Sequence, residues 1–289
     1  MTNSKLSSIA LRTDNHDRDS AGFTYVYPVV SRRAGGVSIG INLNPNNACN
    51  WRCLYCQVPD LKRGGPPPID LVQLESELVT MLDDIVHGDF MLQRVPEGVR
   101  RLNDVAFSGN GEPTMSAEFP KAVALVGEVL TRFGLLGAVK LVLISNGSQF
   151  YKAQVQQAVA GMRALGGEVW FKIDRAPQDG FSVTNQVQLN RAAVTRHLAA
   201  ACAACPTWVQ TCMFGLDGAL PSEAEITAYL DYLACLPAQG IRIEGVLLYG
   251  LARPSMQTEA PRLTAAPAAW MEALAAQIRA LGLTVKLSV

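Results

Sequence analysis

From Val37 to its last residue the chain alternates short apolar runs with longer stretches of helical periodicity, and this alternation limits what it can fold into. The runs at 38–43, 104–107, 139–144, 169–173, 208–214, 241–248 and 284–287 read as strands. Asp70 caps a first helix, with Leu71, Leu74, Leu78, Met81, Leu82 and Ile85 at helical spacing. Further helices are expected over 118–133, 152–165, 191–201, 223–236 and 267–281. Six strand–helix units plus one strand imply parallel strands with helices outside. Eight units would close a full barrel; six fit an α/β fold built as an open, partial (βα)6 TIM-like barrel. A doubly wound sheet is the alternative that strand number leaves open. This core covers 37–289, and 1–36 reads as an N-terminal arm, aperiodic from Met1 to Asp19.

The length of 289 residues suits a single α/β barrel domain, and a hydrophobic content of 49% supplies its core. Lys+Arg and Asp+Glu both number 25, so no global basic field steers a polynucleotide. The polar N-terminus is no secretory signal, and no apolar run is long enough to span a membrane. The chain reads as cytoplasmic, a reducing setting in which its 7 cysteines stay available as thiolates.

Three of those cysteines lie in the run Ala48-Cys49-Asn50-Trp51-Arg52-Cys53-Leu54-Tyr55-Cys56, spaced C-x3-C-x2-C. Three close thiolates can hold three irons of a cubane 4Fe-4S cluster and leave the fourth iron open to a small molecule. A zinc knot is a competing reading, but zinc sites favour separated cysteine pairs with histidines, and none of His16, His87 or His197 is placed to join. Disulfides are the third. The segment resembles the cluster loop of the radical S-adenosylmethionine (SAM) enzymes, including the aromatic Tyr55 before the third cysteine. In that family the open iron chelates the amino and carboxylate groups of SAM, and the fold is a partial barrel.

In parallel α/β folds the chemistry sits where strands end. The second strand ends Ser108-Gly109-Asn110-Gly111-Glu112-Pro113-Thr114. Its glycines allow close backbone approach and Glu112 supplies an acceptor. It resembles the family's glycine–glycine–glutamate element, which binds the SAM ammonium; an ordinary βα turn is the plainer reading. After the third strand come Ser145, Asn146 and Gly147, which resemble SAM ribose or carboxylate contacts and equally suit a turn. On the fourth, Lys172 and Asp174 share one face and would pair inside the barrel, as ligand-facing groups or as a structural ion pair. The family likeness puts adenine contacts around Leu247 to Leu251, including Tyr249. Arg253 is the candidate to hold an anionic substrate group, and Lys172 is the lysine placed inside the barrel.

Cys202, Cys205, Cys212 and Cys235 either hold a second cluster or are small buried hydrophobes. Arg32, Arg33, Arg52, Lys62, Arg63, Arg100 and Arg101 form either a basic rim for an anionic substrate or a solvated face. The resemblance implies an enzyme whose reduced cluster cleaves SAM to a 5′-deoxyadenosyl radical, with an electron donor such as flavodoxin or ferredoxin. Within the superfamily the G-E-P-T and S-N-G elements look most like bacterial and archaeal relatives of the wyosine tRNA-base synthases, which implies a tRNA nucleoside as substrate. The chain departs from these in lacking a second cysteine trio and a net positive charge. An activating enzyme for a glycyl-radical protein, and a non-enzymatic iron–sulfur or zinc protein, are the competing functions.

Overall fold

The computed structural model describes residues 10–11, 21–31, 35–176 and 179–289. Arg32, Arg33 and most of the arm lie outside the described residues. Eight strands form one sheet in the order in which the chain makes them: β1 (Val26–Ser31), β2 (Gly36–Asn42), β3 (Leu102–Ser108), β4 (Lys140–Ser145), β5 (Glu168–Lys172), β6 (Thr207–Cys212), β7 (Gly245–Tyr249) and β8 (Val285–Ser288). β1 is antiparallel to β2, and the other neighbours are parallel. A doubly wound sheet reverses its strand order at a switch point. No reversal occurs here, so that alternative falls, and the sheet curls into a half barrel.

Six helices return the chain along the outside: α1 (Leu71–Val86), α2 (Phe119–Arg132), α3 (Ala153–Ala164), α4 (Arg191–Ala204), α5 (Glu223–Ala234) and α6 (Ala268–Ala280). Strand side chains alternate between two faces. Ile39, Ile41, Val105, Phe107, Leu141, Leu143, Val169 and Phe171 pack outward into the main core with Leu74, Leu78, Val126, Leu130 and Val159 of the helices. Ala106, Val142, Trp170, Trp208 and Leu247 point inward and form a separate apolar floor. The site is built above that floor.

Helix starts follow the chain's capping chemistry. Asp70 accepts from the Val72 and Gln73 amides at 3.0 Å, and Ser222 with Glu225 forms a reciprocal capping box on α5. Buried Glu77 of α1 accepts from the Thr24, Tyr25 and Val26 amides at 3.0, 2.7 and 3.2 Å. That carboxylate draws Val26–Ser31 out of the arm in which the sequence placed it and seats it as the edge strand, a position that tolerates Pro28. Tyr27 then lies across Gly40, where a Cβ would meet its ring at 2.1 Å, and its hydroxyl reaches Ser108 Oγ at 2.8 Å.

Two strand ends differ from the sequence reading. β6 stops at Cys212, and Phe214–Leu216 instead pairs antiparallel with Leu263–Ala265. β7 starts only at Gly245: Gly240, with φ 72°, ends the preceding turn, and 241–244 are not strand.

Candidate active site

The cysteine loop leaves β2 at the C-terminal mouth of the half barrel, and asparagines shape its first part. Asn42 Oδ1 accepts from the backbone amides of Asn44 and Asn110, both at 3.0 Å. Asn44 Nδ2 donates to the Ala48 carbonyl at 2.9 Å, and Asn110 Nδ2 to Asn47 Oδ1 at 2.6 Å. The glycines around Asn110 are needed for this packing: a Cβ on Gly111 would stand 2.1 Å from Ala48 O, and Gly109 has φ 130°. Gly111 thus brings the β3 loop against the cysteine loop, and Gly109 brings it against Asn42 at the end of β2.

Three other βα loops hold the rest. After β4, Asn146 Nδ2 donates to Asn50 Oδ1 at 2.9 Å, and Asn50 Nδ2 to Ser148 Oγ at 2.8 Å. After β5, the carbonyls of Thr184 and Asn185 accept from Leu54 N and Arg52 N at 2.9 and 3.1 Å. After β7, Ser255 Oγ donates to Leu54 O at 2.6 Å and Gln257 Nε2 to Val58 O at 2.8 Å. Arg52 closes the clasp with a two-pronged contact to Glu259, at 2.7 and 2.9 Å. Arg52 therefore belongs to a structural pair, and that pair holds the Glu259 carboxyl down at about 2. A depressed carboxyl contributes stability that is present above its ordinary value and lost as pH falls through the lowered one. Arg52→Leu is expected to cost roughly 1 kcal/mol near neutral pH, the figure for a partly exposed pair. Below about pH 2 the cost should vanish; urea unfolding curves at the two pH values check this, and an equal loss at both would contradict it.

Cys49, Cys53 and Cys56 all line one cavity of about 270 Å³ and none is in a disulfide. Burial pushes the Cys49 thiol up to about 11 and the Cys53 thiol up to about 12. Thiolates there need positive charge or donated hydrogens beside them. Trp51 N lies 3.4 Å from Cys49 Sγ and Asn185 Nδ2 lies 3.2 Å from Cys53 Sγ.

Lys172 and Asp174 do share the inner face, but Tyr55 stands between them. Lys172 Nζ donates to Tyr55 Oη at 3.0 Å and sits 4.9 Å from that ring's centre, while Tyr55 Oη donates to Asp174 Oδ2 at 2.5 Å. Fully buried Asp174 also accepts from Asn185 Nδ2 at 2.8 Å and Cys212 N at 2.8 Å. Burial opposes the charge on Lys172; the acidic groups around it, Tyr249, Cys53, Asp174 and Cys212, outweigh that and raise its pKa. Lys172 is thus held as an ammonium.

Glu112 is 2% exposed. Its Oε1 accepts from Thr114 N at 3.2 Å, Thr114 Oγ1 at 2.5 Å and Ser145 Oγ at 2.7 Å, and its Oε2 from Asn146 N at 2.6 Å. Burial still raises its pKa, against those four donors. Gly109, Asn110, Gly111, Glu112, Asn146, Tyr55, Lys172, Tyr249 and Arg253 all reach the cavity wall. Ser145 is turned to Glu112 instead, and Leu247 belongs to the apolar floor.

Of the other cysteines, Cys212 lines the cavity. Cys202 and Cys205 lie at the end of α4, with Cys205 Sγ 3.1 Å from Gly167 O, and Cys235 caps α5. Arg100 and Arg101 bond to backbone at the start of β3, the end opposite the mouth, so the basic residues do not form one rim. Sequence reasoning missed Asn42, Asn44, Asn185, Gln210, Ser255 and Gln257. Only the asparagines of the run Asn42-Leu43-Asn44-Pro45-Asn46-Asn47 left a signal, an excess of turn-forming side chains beside the cysteines.

No family model matches the chain. A UPF0026 protein of Helicobacter pylori is 32% identical over 133 residues, which cover 46% of this chain and 37% of that protein. The chain thus matches well under half the length of this curated relative. Among solved structures, TYW1 with a lysine–pyruvate adduct superposes with a TM-score of 0.50 at 13% identity, over 81% of this chain and 70% of that one. A radical SAM methyltransferase from Sphaerobacter thermophilus gives a TM-score of 0.51 at 13% identity, over 88% and 66%. The fold is that of the radical SAM enzymes. In this radical SAM fold the thiols stand at the mouth of the half barrel, over a cavity that runs inward past Lys172 and Gln210 to Ser38 and Asp104. Among the described residues, no helix is long and apolar enough to cross a membrane.

Proposed function

We propose that the chain is a radical SAM enzyme, with a 4Fe-4S cluster on Cys49, Cys53 and Cys56 and SAM in the adjoining cavity. The observation that carries this is the cysteine loop itself: three free thiols, lining one cavity, in a loop held by four separate βα loops.

The residues fit the group. Two of the thiols meet N–H donors, and the Lys172 ammonium lies close enough to Cys53 to favour its thiolate. Among the described residues, no three His, Cys, Asp or Glu side chains are grouped around a single metal ion. A cubane takes each thiolate on a different iron, so its ligands need not meet at one point. When bound, the cluster would supply the one electron that reductive cleavage of SAM requires, and so the radical chemistry at the substrate.

The chain's own part is to bind, orient and exclude water. Glu112 Oε2 has one protein donor and keeps acceptor capacity for an ammonium. Tyr249 and Leu251 give the cavity an apolar side wall beside the backbone of Gly250, suited to an adenine. Lys172 and Arg253 provide positive charge for carboxylate or phosphate. Trp170, Gln210 and Asp104 face the interior, where a flat polar group would meet an aromatic surface and hydrogen-bonding side chains. That lining favours a nucleoside, presented singly from a tRNA, over a protein backbone. The electron comes from a small carrier such as flavodoxin or ferredoxin.

Anaerobic reconstitution with iron and sulfide, followed by SAM and dithionite, should yield 5′-deoxyadenosine by mass spectrometry. Intact SAM after that treatment would overturn the enzyme reading. Nucleoside analysis of treated tRNA tests the substrate, and a glycyl-radical signal on a partner protein would replace it with the activating-enzyme reading.

A further inference from the structure

We infer that Asn185 sets the reduction potential of the cluster by donating an N–H to the Cys53 thiolate; this rests on the function proposed above. Asn185 lies just past the short helix Asp179–Thr184, and its side chain is fully buried. Its Nδ2 is 3.2 Å from Cys53 Sγ and 2.8 Å from Asp174 Oδ2, so each of the two amide hydrogens has its own acceptor. The opposite orientation of the amide would turn Oδ1 toward the Asp174 carboxylate oxygen that Nδ2 now meets at 2.8 Å, and an ionised carboxylate only accepts. The nitrogen is therefore the atom that faces Cys53.

Asp174 fixes that orientation, and is fixed in turn. Its Oδ1 takes the Cys212 amide, and its Oδ2 is shared by Tyr55 Oη and Asn185 Nδ2. The Asn185 backbone is also tied, since its carbonyl accepts from Arg52 N and its amide donates to Phe181 O. The side-chain amide is thus preset with its positive end against one cluster ligand. Cys49 receives only a backbone amide of its own loop, at 3.4 Å. Among the described residues, Asn185 brings a side-chain donor from outside the loop to a ligand sulfur.

Hydrogen bonds to cluster sulfurs are a main determinant of iron–sulfur potentials. The reduced cluster carries one more negative charge, so a donor at the sulfur stabilises it and raises the potential. Removing the donor lowers the potential and makes the cluster harder to reduce at a given electron pressure.

The test is a redox titration of the reconstituted protein, followed by electron paramagnetic resonance of the reduced cluster, with iron content measured in parallel. Asn185→Leu keeps the shape and loses the donor; Asn185→Ser leaves the site polar but too short to span it. Both should retain wild-type iron content and shift the reduction equilibrium about tenfold toward the oxidised form, about 59 mV for one electron. Midpoints equal to wild type in iron-replete variants would overturn the inference. Loss of iron from both variants would also overturn it, since Asn185 would then hold the loop and not tune it. If one variant alone loses iron, the other decides. A wild-type protein that takes up no cluster would sink the enzyme reading first, and is told apart by its iron content alone.

Discussion

Cys53→Ala protein, reconstituted anaerobically, is expected to carry no cluster and to cleave no SAM, whereas wild type should carry about four irons per chain. The physical reason lies in what surrounds Cys53. Its thiol is buried enough to be pushed up to about 12, and its surroundings supply an amide donor from Asn185 and the positive charge of Lys172. Among the described residues around it, Asp174 is committed to Tyr55, Asn185 and Cys212 N, and Cys212 stands at the end of β6 and not on the cysteine loop. Cys212→Ala serves as the contrast, since it lines the same cavity and should keep the full iron content. Iron analysis, visible absorbance and 5′-deoxyadenosine yield read the outcome. An iron content near eight in wild type would revive the second-cluster reading of Cys202, Cys205, Cys212 and Cys235. Stoichiometric zinc without iron would end the cluster hypothesis.

The features legible in the sequence are those written in local periodicity. Alternation placed Lys172 and Asp174 on one face, and unit repetition implied parallel strands, while the strand order that excludes a doubly wound sheet is visible only in the folded sheet. The cysteine spacing is local too. What stayed hidden depends on contacts between residues far apart in the chain. Nothing near Asn185 announces a contact with Cys53, 132 positions away, and nothing near Glu259 announces Arg52, 207 away. The Lys172–Asp174 pair was expected to be direct because the sequence cannot show that Tyr55 is inserted between them, from a loop 119 residues before Asp174. β1 was lost for the same reason: its anchor, Glu77, is on a helix 51 to 53 residues downstream. A strand end slipped for the same reason where Phe214–Leu216 leaves β6 to pair with Leu263–Ala265, far along the chain.

Glu112→Ala is expected to loosen the whole mouth of the barrel as well as weaken SAM binding. Its carboxylate joins the loops after β3 and β4, and Ser145 Oγ, which donates to it, itself accepts from Gly147 N at 2.9 Å. Truncation leaves four donors without an acceptor. The Thr114 and Ser145 hydroxyls can rotate to other acceptors. The Thr114 and Asn146 amides are fixed by the backbone, and each buried donor left unmet costs about 1–3 kcal/mol. The sum, roughly 2–6 kcal/mol, is a large share of an ordinary folding free energy and should lower the melting temperature by about 3–10 °C. Glu112→Gln separates the two roles. Its amide oxygen can keep the three donors on the Oε1 side, while its NH2 meets the Asn146 amide, donor against donor. It should therefore lose less stability than the alanine variant, yet lose the charge that an ammonium requires, loosening SAM by about tenfold or more. Thermal unfolding of the unloaded protein reads the first effect, and anaerobic SAM binding reads the second. An alanine variant that melts with wild type and differs only in SAM affinity would make Glu112 purely a ligand contact, and would contradict the structural role that its four hydrogen bonds give it.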